Sequence, residues 1–243
     1  MNGNNRYSSL GYEVFIELRR SDKAITRTVK TDSLTDMANE CFDLPFDGTC
    51  KFYPFEMPEL PPYKILAVTG RSGSGKSTIL RSIRMSKMSR PMDSEEPVVL
   101  GFADRAVCPD EFLYRTRLLG LNPDDIIFKT FGQLSEGEKF RAEVAMNLDS
   151  NTIFDEFTSM VDRNIAKTVS EGLKEIVDKE NLKNITLCSC HKDFIKWVEP
   201  DLIIDLDDYT VYSKSSEKPV QDANDQLEEL IGTIDVVVRK WKN

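Results

Sequence analysis

The feature that most constrains this 243-residue chain is the octapeptide Gly70-Arg71-Ser72-Gly73-Ser74-Gly75-Lys76-Ser77. It matches the pattern G-x-x-x-x-G-K-[ST] and lies between an apolar run, residues 65–68, and a helix-like sequence that begins at Thr78. Glycines let the backbone wrap tightly, so that successive N–H groups point at phosphate oxygens, and the helix adds the positive end of its dipole. The pattern predicts a phosphate-binding loop (P-loop), with Lys76 at the phosphates and the Ser77 hydroxyl at Mg²⁺.

The order of predicted elements indicates the fold class. Beyond residue 63, strands and helices alternate, which predicts an α/β fold with a mainly parallel sheet covered on both faces. The predicted strands are 65–68, 98–102, 152–154, 185–188, 202–204 and 210–212, and the predicted helices are 111–119, 138–148, 164–177 and 194–198.

The domain organisation follows from the same patterns. Residues 1–62 read as an antiparallel β part with strands at 12–18, 24–30 and 51–53 and a short helix at 34–41. Residues 63–212 form the P-loop core, with a short helical insertion at 103–150. The tail, 213–243, reads as a linker and a C-terminal amphipathic helix whose apolar positions are Leu227, Leu230, Ile231, Ile234, Val238 and Trp241.

Composition excludes several classes of protein. A formal net charge of −9 argues against a surface that grips nucleic acid everywhere. No run of about 18 apolar residues predicts a membrane span, and the polar N-terminus carries no secretory signal. Five cysteines fit a reducing cytoplasm better than a disulfide framework, and a single histidine excludes a zinc site built from a histidine pair.

An adjacent pair of carboxylates follows one of the predicted strands. Asp155 ends residues 152–154, so its carboxylate is expected to face the P-loop and to organise Mg²⁺ together with Ser77. Glu156 is then placed to polarise an attacking water as a general base. The P-loop favours this interpretation over a solvated acidic turn.

Three further segments carry a resemblance to a known family. Leu134-Ser135-Glu136-Gly137-Glu138 reads locally as a capped helix start, with Ser135 as N-cap and Glu138 at capping-box distance. It also resembles the signature motif of ABC-type ATPases. Ser159-Met160-Val161-Asp162 resembles the D-loop of that family, and His191 stands where its switch histidine stands. The resemblance spans roughly residues 64–212. Within the family, the sequence most resembles small soluble bacterial and phage ABC ATPases. Members of that group are often fused to an acetyltransferase domain, which is absent here.

The resemblance implies a mechanism. ATP with Mg²⁺ would lie between the P-loop of one protomer and the signature loop of another, so the chain would form a homodimer on ATP binding and act as a switch on a protein or nucleic-acid partner. Ser135 and Gly137 would complete the site from the second protomer, and His191 would hydrogen-bond the γ-phosphate or the attacking water. The implied catalytic residues are Glu156, His191 and Lys76; the metal ligands are Ser77 and Asp155; the nucleotide-binding residues are Gly70 to Thr78, Ser135, Gly137, Asp162 and Phe46.

The resemblance leaves two points open. The family's adenine-stacking aromatic lies upstream of the P-loop, where Phe46 is the nearest candidate and Phe42 and Phe52 compete with it. The family's usual Gln is missing after residues 98–102, which weakens the alternative of a transporter's nucleotide-binding subunit. The sequence is also compatible with an ATPase of DNA repair or recombination and with a non-hydrolysing binding module.

Three features have two interpretations each. Cys188-Ser189-Cys190-His191 suggests a metal site, but three crowded ligands favour buried strand cysteines instead. Residues 64–90 hold seven Lys or Arg and no acid, which fits a nucleic-acid contact or, preferably, a solvated helix face. The C-terminal helix is expected to pack on its own domain, with a partner contact as the alternative.

Overall fold

The computed structural model describes residues 5–43, 46–83, 86–90, 92–104 and 108–215. Its strands are β1 (Tyr12–Glu17), β2 (Ile25–Thr28), β3 (Thr49–Phe52), β4 (Ile65–Thr69), β5 (Lys87–Met88), β6 (Thr152–Phe154), β7 (Ile185–Ser189), β8 (Leu202–Asp205) and β9 (Thr210–Lys214). Its helices are α1 (Ser33–Phe42), α2 (Lys76–Ser82), α3 (Val98–Asp104), α4 (Pro109–Leu118), α5 (Pro123–Ile126), α6 (Glu136–Asn147), α7 (Arg163–Lys179) and α8 (Ile195–Val198). The predicted C-terminal helix lies outside the described residues.

A seven-stranded sheet in the order β1-β9-β8-β4-β7-β6-β5 forms the centre of the fold. The pairings β8-β4, β4-β7, β7-β6 and β6-β5 are parallel, whereas β9 pairs antiparallel with both β8 and β1. The predicted α/β fold with a mainly parallel sheet is therefore confirmed.

Helices cover the sheet on both faces, which explains the nearly continuous apolar sequence of β4. Ile65 and Ala67 belong to the larger hydrophobic cluster, which includes residues of α4, α6 and α7. Leu66 and Val68 point the other way, into a smaller cluster with Ile79 of α2 and others. This alternation fixes β4 in the middle of the sheet, so that the P-loop leaves from its carboxyl end.

The prediction of a strand at residues 98–102 is wrong, because this run forms helix α3. Val98 and Phe102 are buried, at 0% and 2% exposure, whereas Leu100 is 51% exposed. Burial four residues apart is a helical period, and a run of five apolar residues cannot be assigned by period alone. The helices between β5 and β6 therefore extend from Val98 to Asn147. The strand beside β6 is β5, which has two residues and no apolar run.

The N-terminal part is antiparallel, as the sequence indicates, but it divides between two sheets. β1 joins the edge of the central sheet, and β2 pairs with β3 in a separate two-stranded sheet. Helix α1 begins with a capping box between Asp32 and Thr35 and buries none of its residues. Within the described ranges, no helix is both long and apolar enough to cross a membrane.

Candidate phosphate-binding and catalytic site

The carboxyl ends of four parallel strands meet at one edge of the central sheet. The P-loop follows β4, the acidic pair follows β6, and His191 follows β7. Thr69 pairs with Ser189 on one side and with Asp205 of β8 on the other, and Phe154 pairs with Leu187. Ligands of open α/β sheets bind at this edge. The sheet therefore gathers residues that are far apart in sequence.

Glycine is required at the start of the P-loop. Gly70 has φ +150°, and a Cβ atom placed there would lie 2.7 Å from the Ser74 Oγ and 3.0 Å from the Leu206 Cβ. Gly73 and Gly75 have φ +77° and +104°, which disfavours any residue with a side chain. The loop thus holds a conformation that only its glycines adopt without strain.

Lys76 is a buried cation with neutral partners. Its side-chain Nζ donates to the carbonyls of Gly70 at 2.8 Å and Arg71 at 3.1 Å, and the residue is 7% exposed. Among the described residues it forms no ion pair, although buried charges are normally paired. The buried Ser74 hydroxyl also lacks a hydrogen-bond partner there. Both observations fit a loop shaped for a phosphate anion.

Ser77 and Asp155 line one cavity of about 430 Å³ beside α2. Asp155 also lies against the thiol of Cys188, whose pKa is raised by burial first and then by the negative charge of this carboxylate. The charge of Lys76 lowers the same pKa and that of Glu156 raises it. A hydroxyl and a carboxylate are oxygen ligands of the kind that Mg²⁺ takes, so the donor set fits that ion.

Glu156 stands in a strained turn. Its φ is +53° and that of Thr158 is +61°, both in the left-handed region that side chains rarely adopt. The Glu156 carboxylate is exposed and accepts a hydrogen bond of 2.8 Å from the Ser159 hydroxyl, while the N–H of Phe157 donates to the Cys188 carbonyl at 2.7 Å. The turn is therefore anchored to β7, and it presents the carboxylate to solvent.

His191 is exposed beyond the end of β7, and its backbone N–H donates to the Ser189 hydroxyl at 3.1 Å. That hydroxyl lies 3.5 Å from the hydroxyl of Ser159, which holds Glu156. Two serines thus connect the predicted general base to the loop of the predicted switch histidine.

Three more of the predicted residues lie at helix starts. Ser135 caps α6 and forms the capping box with Glu138, which confirms the local interpretation of this segment. Gly137 lies in the first turn of α6, and a Cβ there would lie 2.7 Å from the Cδ1 of Ile165 of α7, so the end of that side chain would have to shift. Asp162 caps α7 by accepting from two backbone N–H groups. Ser135 and Asp162 are both exposed, so they are open to a second molecule.

An aromatic wall borders the P-loop. A cavity of about 380 Å³ is lined by Arg71, Ser72, Gly73 and Ser74 together with Arg20, Phe52, Phe55, Leu206, Asp207 and Tyr209. The Phe55 and Tyr209 rings pack 5.0 Å apart, and Arg20 stacks on both. Phe46 lines a different cavity, with α1 residues, so the structure places it outside the cavity of the P-loop.

Sequence reasoning missed a set of ion pairs around the His191 loop. Lys192 pairs with Asp205 at 2.7 Å and with Asp207 at 2.9 Å, and Asp207 also accepts from the Arg71 N–H at 2.9 Å. Arg163 pairs with Asp193. The partners are far apart in the chain, and nothing in a single sequence signals such pairs.

The structure bears on two of the ambiguous sequence features, the segment Cys188 to His191 and the basic stretch 64–90. The prediction of buried strand cysteines is confirmed for Cys188 of β7 and is wrong for Cys190, which lies beyond the strand and is exposed. The described residues include no group of three or more potential metal-binding side chains. Of the basic stretch 64–90, Lys64 pairs with Asp178, Arg71 pairs with Asp207, and Lys76 is buried in the P-loop. The other cations of this stretch whose burial is described, Arg81, Lys87 and Arg90, are exposed.

No family model matches the sequence, and no curated protein matches it. Among solved structures, the chain is similar to a dimeric bacterial ABC transporter cassette, with a TM-score of 0.52 and 16% identity over 83% of this chain and 99% of that one. A structure described as a cobalt transport ATP-binding protein gives a TM-score of 0.50 and 18% identity over 67% of this chain and 72% of that one. The chain therefore has the fold of ABC-type ATPase cassettes. Kinship with the acetyltransferase-fused group stays a prediction.

Proposed function

We propose that this chain binds ATP with Mg²⁺ and hydrolyses it within a dimer of two copies. The observation that carries the proposal is Lys76, a buried cation that has only carbonyl partners and lies in a loop of left-handed glycines. Such a group requires an anionic ligand, since an unpaired buried charge is costly. The fold of ABC-type cassettes, which the chain shares, supports a nucleotide phosphate as that ligand.

In this proposal the P-loop residues Gly70 to Thr78 bind the phosphates. Lys76 gives its ammonium, and the first turn of α2 contributes backbone N–H groups that have no intrahelical acceptor. Ser77 and Asp155, which line one cavity, hold Mg²⁺. The ion, when bound, neutralises charge on the phosphates.

Glu156 and His191 carry the chemical step. Glu156 accepts a proton from the attacking water, and the Ser159 hydroxyl orients the carboxylate for that role. His191 donates a hydrogen bond toward the γ-phosphate. The backbone of its loop is held by the Ser189 hydroxyl and by the ion pair of Lys192 with Asp205, which supports a loop that is ordered before the nucleotide arrives.

The second copy supplies Ser135, Gly137 and Asp162. Ser135 and Gly137 stand at the start of α6, where backbone N–H groups favour an anion. Asp162 is exposed at the start of α7, whose first N–H groups it already caps. The dimeric assembly of a structural neighbour supports this arrangement. ATP then stabilises the closed pair and hydrolysis releases it, which makes the dimer a switch for a protein or nucleic-acid partner.

The transporter alternative has one specific observation in its favour, the names of the similar structures. The absence of the family's usual Gln speaks against it, because no Gln follows β5, the strand next to β6 in the sheet, before Gln133. Purification of the native chain from cells distinguishes the two: a co-purifying membrane protein supports the transporter subunit, and its absence from detergent extracts supports the free switch.

Glu156→Gln tests the proposal. It preserves shape and removes the base, so ATP turnover should fall by about 100-fold or more while the variant accumulates as an ATP-bound dimer. Light scattering with and without ATP measures the mass, and a coupled phosphate assay measures turnover. The matched control is Glu175→Gln, an exposed carboxylate on α7. A variant that stays monomeric in saturating ATP contradicts the sandwich, and a wild-type chain without turnover contradicts the ATPase.

A further inference from the structure

The loop that carries His191 is held from two opposite sides. On one side, Lys192 pairs with Asp205 and Asp207, and Asp207 accepts the backbone N–H of Arg71 at 2.9 Å. This side therefore ties the histidine's loop to the P-loop of the same chain. The other side ends at Asp193, two residues beyond the histidine.

Arg163, the first residue of α7, holds that other side. One terminal nitrogen of its guanidinium donates to both carboxylate oxygens of Asp193, at 3.0 and 3.1 Å. The other donates to the carbonyl of Thr158 at 2.5 Å and to that of Val161 at 2.9 Å. A single planar group thus spans two loops, which only the rigid fork of arginine does with four acceptors.

The carbonyls that Arg163 holds belong to a turn under strain. Glu156 and Thr158 are both left-handed, and the Thr158 hydroxyl is buried without a partner among the described residues. Such a conformation persists only where its surroundings fix it. Arg163 supplies part of that restraint, because its guanidinium binds the carbonyls of Thr158 and Val161 and so connects the turn to the start of α7.

We propose that Arg163 is a positioning residue of the ATPase: it couples the segment 156–162, which in the sandwich faces the second copy, to the loop of His191. The inference rests on the proposed function. When the second copy closes on this segment, the carbonyls of Thr158 and Val161 fix the guanidinium, and the guanidinium fixes Asp193 and the histidine beside it. Hydrolysis is thereby linked to dimer closure.

Because Arg163 is 40% exposed and Asp193 is 30% exposed in their side chains, the pair adds little to stability. If Arg163 positions the His191 loop, its variants should lose turnover without a matching loss of stability. If its role is only structural, the two losses should go together. The variants are Arg163→Ala, Arg163→Lys, Asp193→Ala and the double Ala variant. The control is Lys167→Ala, which removes an exposed pair with Glu171 on the same helix.

We expect Arg163→Ala to lower kcat by about 10- to 100-fold while KM for ATP changes by less than about threefold, since misplacement of a catalytic group costs that much. The kcat of Arg163→Lys should lie between those of Arg163→Ala and the wild type. The double variant should be no slower than Arg163→Ala alone, because coupled residues are not additive. The melting temperature of Asp193→Ala should stay near that of Lys167→Ala, whereas Arg163→Ala also loses the Thr158 and Val161 contacts and should melt slightly lower.

Three results would overturn the inference: Arg163→Ala with a kcat within twofold of the control, additive losses in the double variant, or a loss of kcat that tracks the melting temperature. If Arg163→Ala does not fold, Asp193→Ala carries the same test, because it leaves the Thr158 and Val161 contacts intact. Failure of the ATPase proposal looks different, since the wild-type chain then shows no turnover at all.

Discussion

The Ser159 hydroxyl donates a hydrogen bond of 2.8 Å to the carboxylate of Glu156. The same hydroxyl lies 3.5 Å from that of Ser189, which receives the backbone N–H of His191. One serine of the predicted D-loop therefore lies between the Glu156 carboxylate and the backbone of the His191 loop, and it restrains the carboxylate that would take the proton.

Ser159→Ala should slow ATP turnover by about tenfold, a smaller effect than loss of the base itself, because the carboxylate stays but loses its orientation. KM for ATP should be unchanged. Steady-state kinetics measures both quantities, with Ser8→Ala as control, since it loses one exposed hydroxyl bond to Asn5. Equal kcat in the two variants would exclude an orienting role for Ser159.

Gly70→Ala should abolish tight ATP binding. The added methyl would lie 2.7 Å from the Ser74 Oγ, in a backbone conformation that already costs about 1–3 kcal/mol for a residue with a side chain. Gly11→Ala is the matched control, because Gly11 is also left-handed, at φ +78°, with open space around it. Titration calorimetry should show ATP affinity preserved in the control alone. Wild-type affinity in Gly70→Ala would show that the loop tolerates a side chain.

Phe52→Ala should weaken ATP binding by about 5- to 150-fold, which corresponds to the 1–3 kcal/mol of base–aromatic stacking. Phe52 lines the cavity of the P-loop, whereas Phe46 lines another. Phe46→Ala is therefore the comparison, and equilibrium binding of a fluorescent ATP analogue is the measurement. A larger effect at Phe46 would support that residue as the adenine contact.

The stability that the capping box at the start of α6 contributes should decrease at acidic pH. The Ser135 hydroxyl and backbone N–H hold the pKa of Glu138 below its usual range. A lowered folded-state pKa gives stability that is full above the unfolded pKa, about 4.3, and is lost as pH falls through the folded pKa. Glu138→Gln should therefore be less stable than the wild type at pH 7 and should lose less stability below about pH 4. Melting temperatures across pH test this, and parallel curves would refute it.

Arg115→Ala should destabilise the chain by about 3–5 kcal/mol, because it leaves buried acceptors without a partner. Its guanidinium, 5% exposed, pairs with Glu111 and Glu180 and donates to the carbonyls of Ala145 and Leu148. Arg117→Ala, at an exposed position on the same helix, should change stability by less than about 0.5 kcal/mol. Urea unfolding measures both, and equal midpoints would contradict the prediction.

Much of the site follows from local sequence, because the P-loop and the acidic pair each sit directly after an apolar strand. β4, β6 and β7 are recognisable since both of their faces are buried. Helix α3 is predicted as a strand because its short apolar run is compatible with a buried strand as well as with a helix. β5 is missed because two exposed residues are too few to carry a period.

Contacts between distant segments lie beyond pattern reasoning. Arg163 and Asp193 are 30 positions apart, and Arg71 and Asp207 are 136 apart. Their pairing depends on the order of strands in the sheet, which places β4 between β7 and β8. The aromatic wall is similar, since Phe52, Phe55 and Tyr209 meet only after β9 has folded back beside β8.

At Glu156, the left-handed backbone conformation brings the stability of the fold into conflict with the proposed catalysis. Glycine or asparagine suits that backbone better than glutamate, so the residue that the fold prefers there differs from the residue that hydrolysis requires. Selection for heat resistance alone would favour replacement of this acid, and a variant with a higher melting temperature would then arise at the expense of turnover. The proposed catalytic acid is thus maintained against the preference of its own main chain.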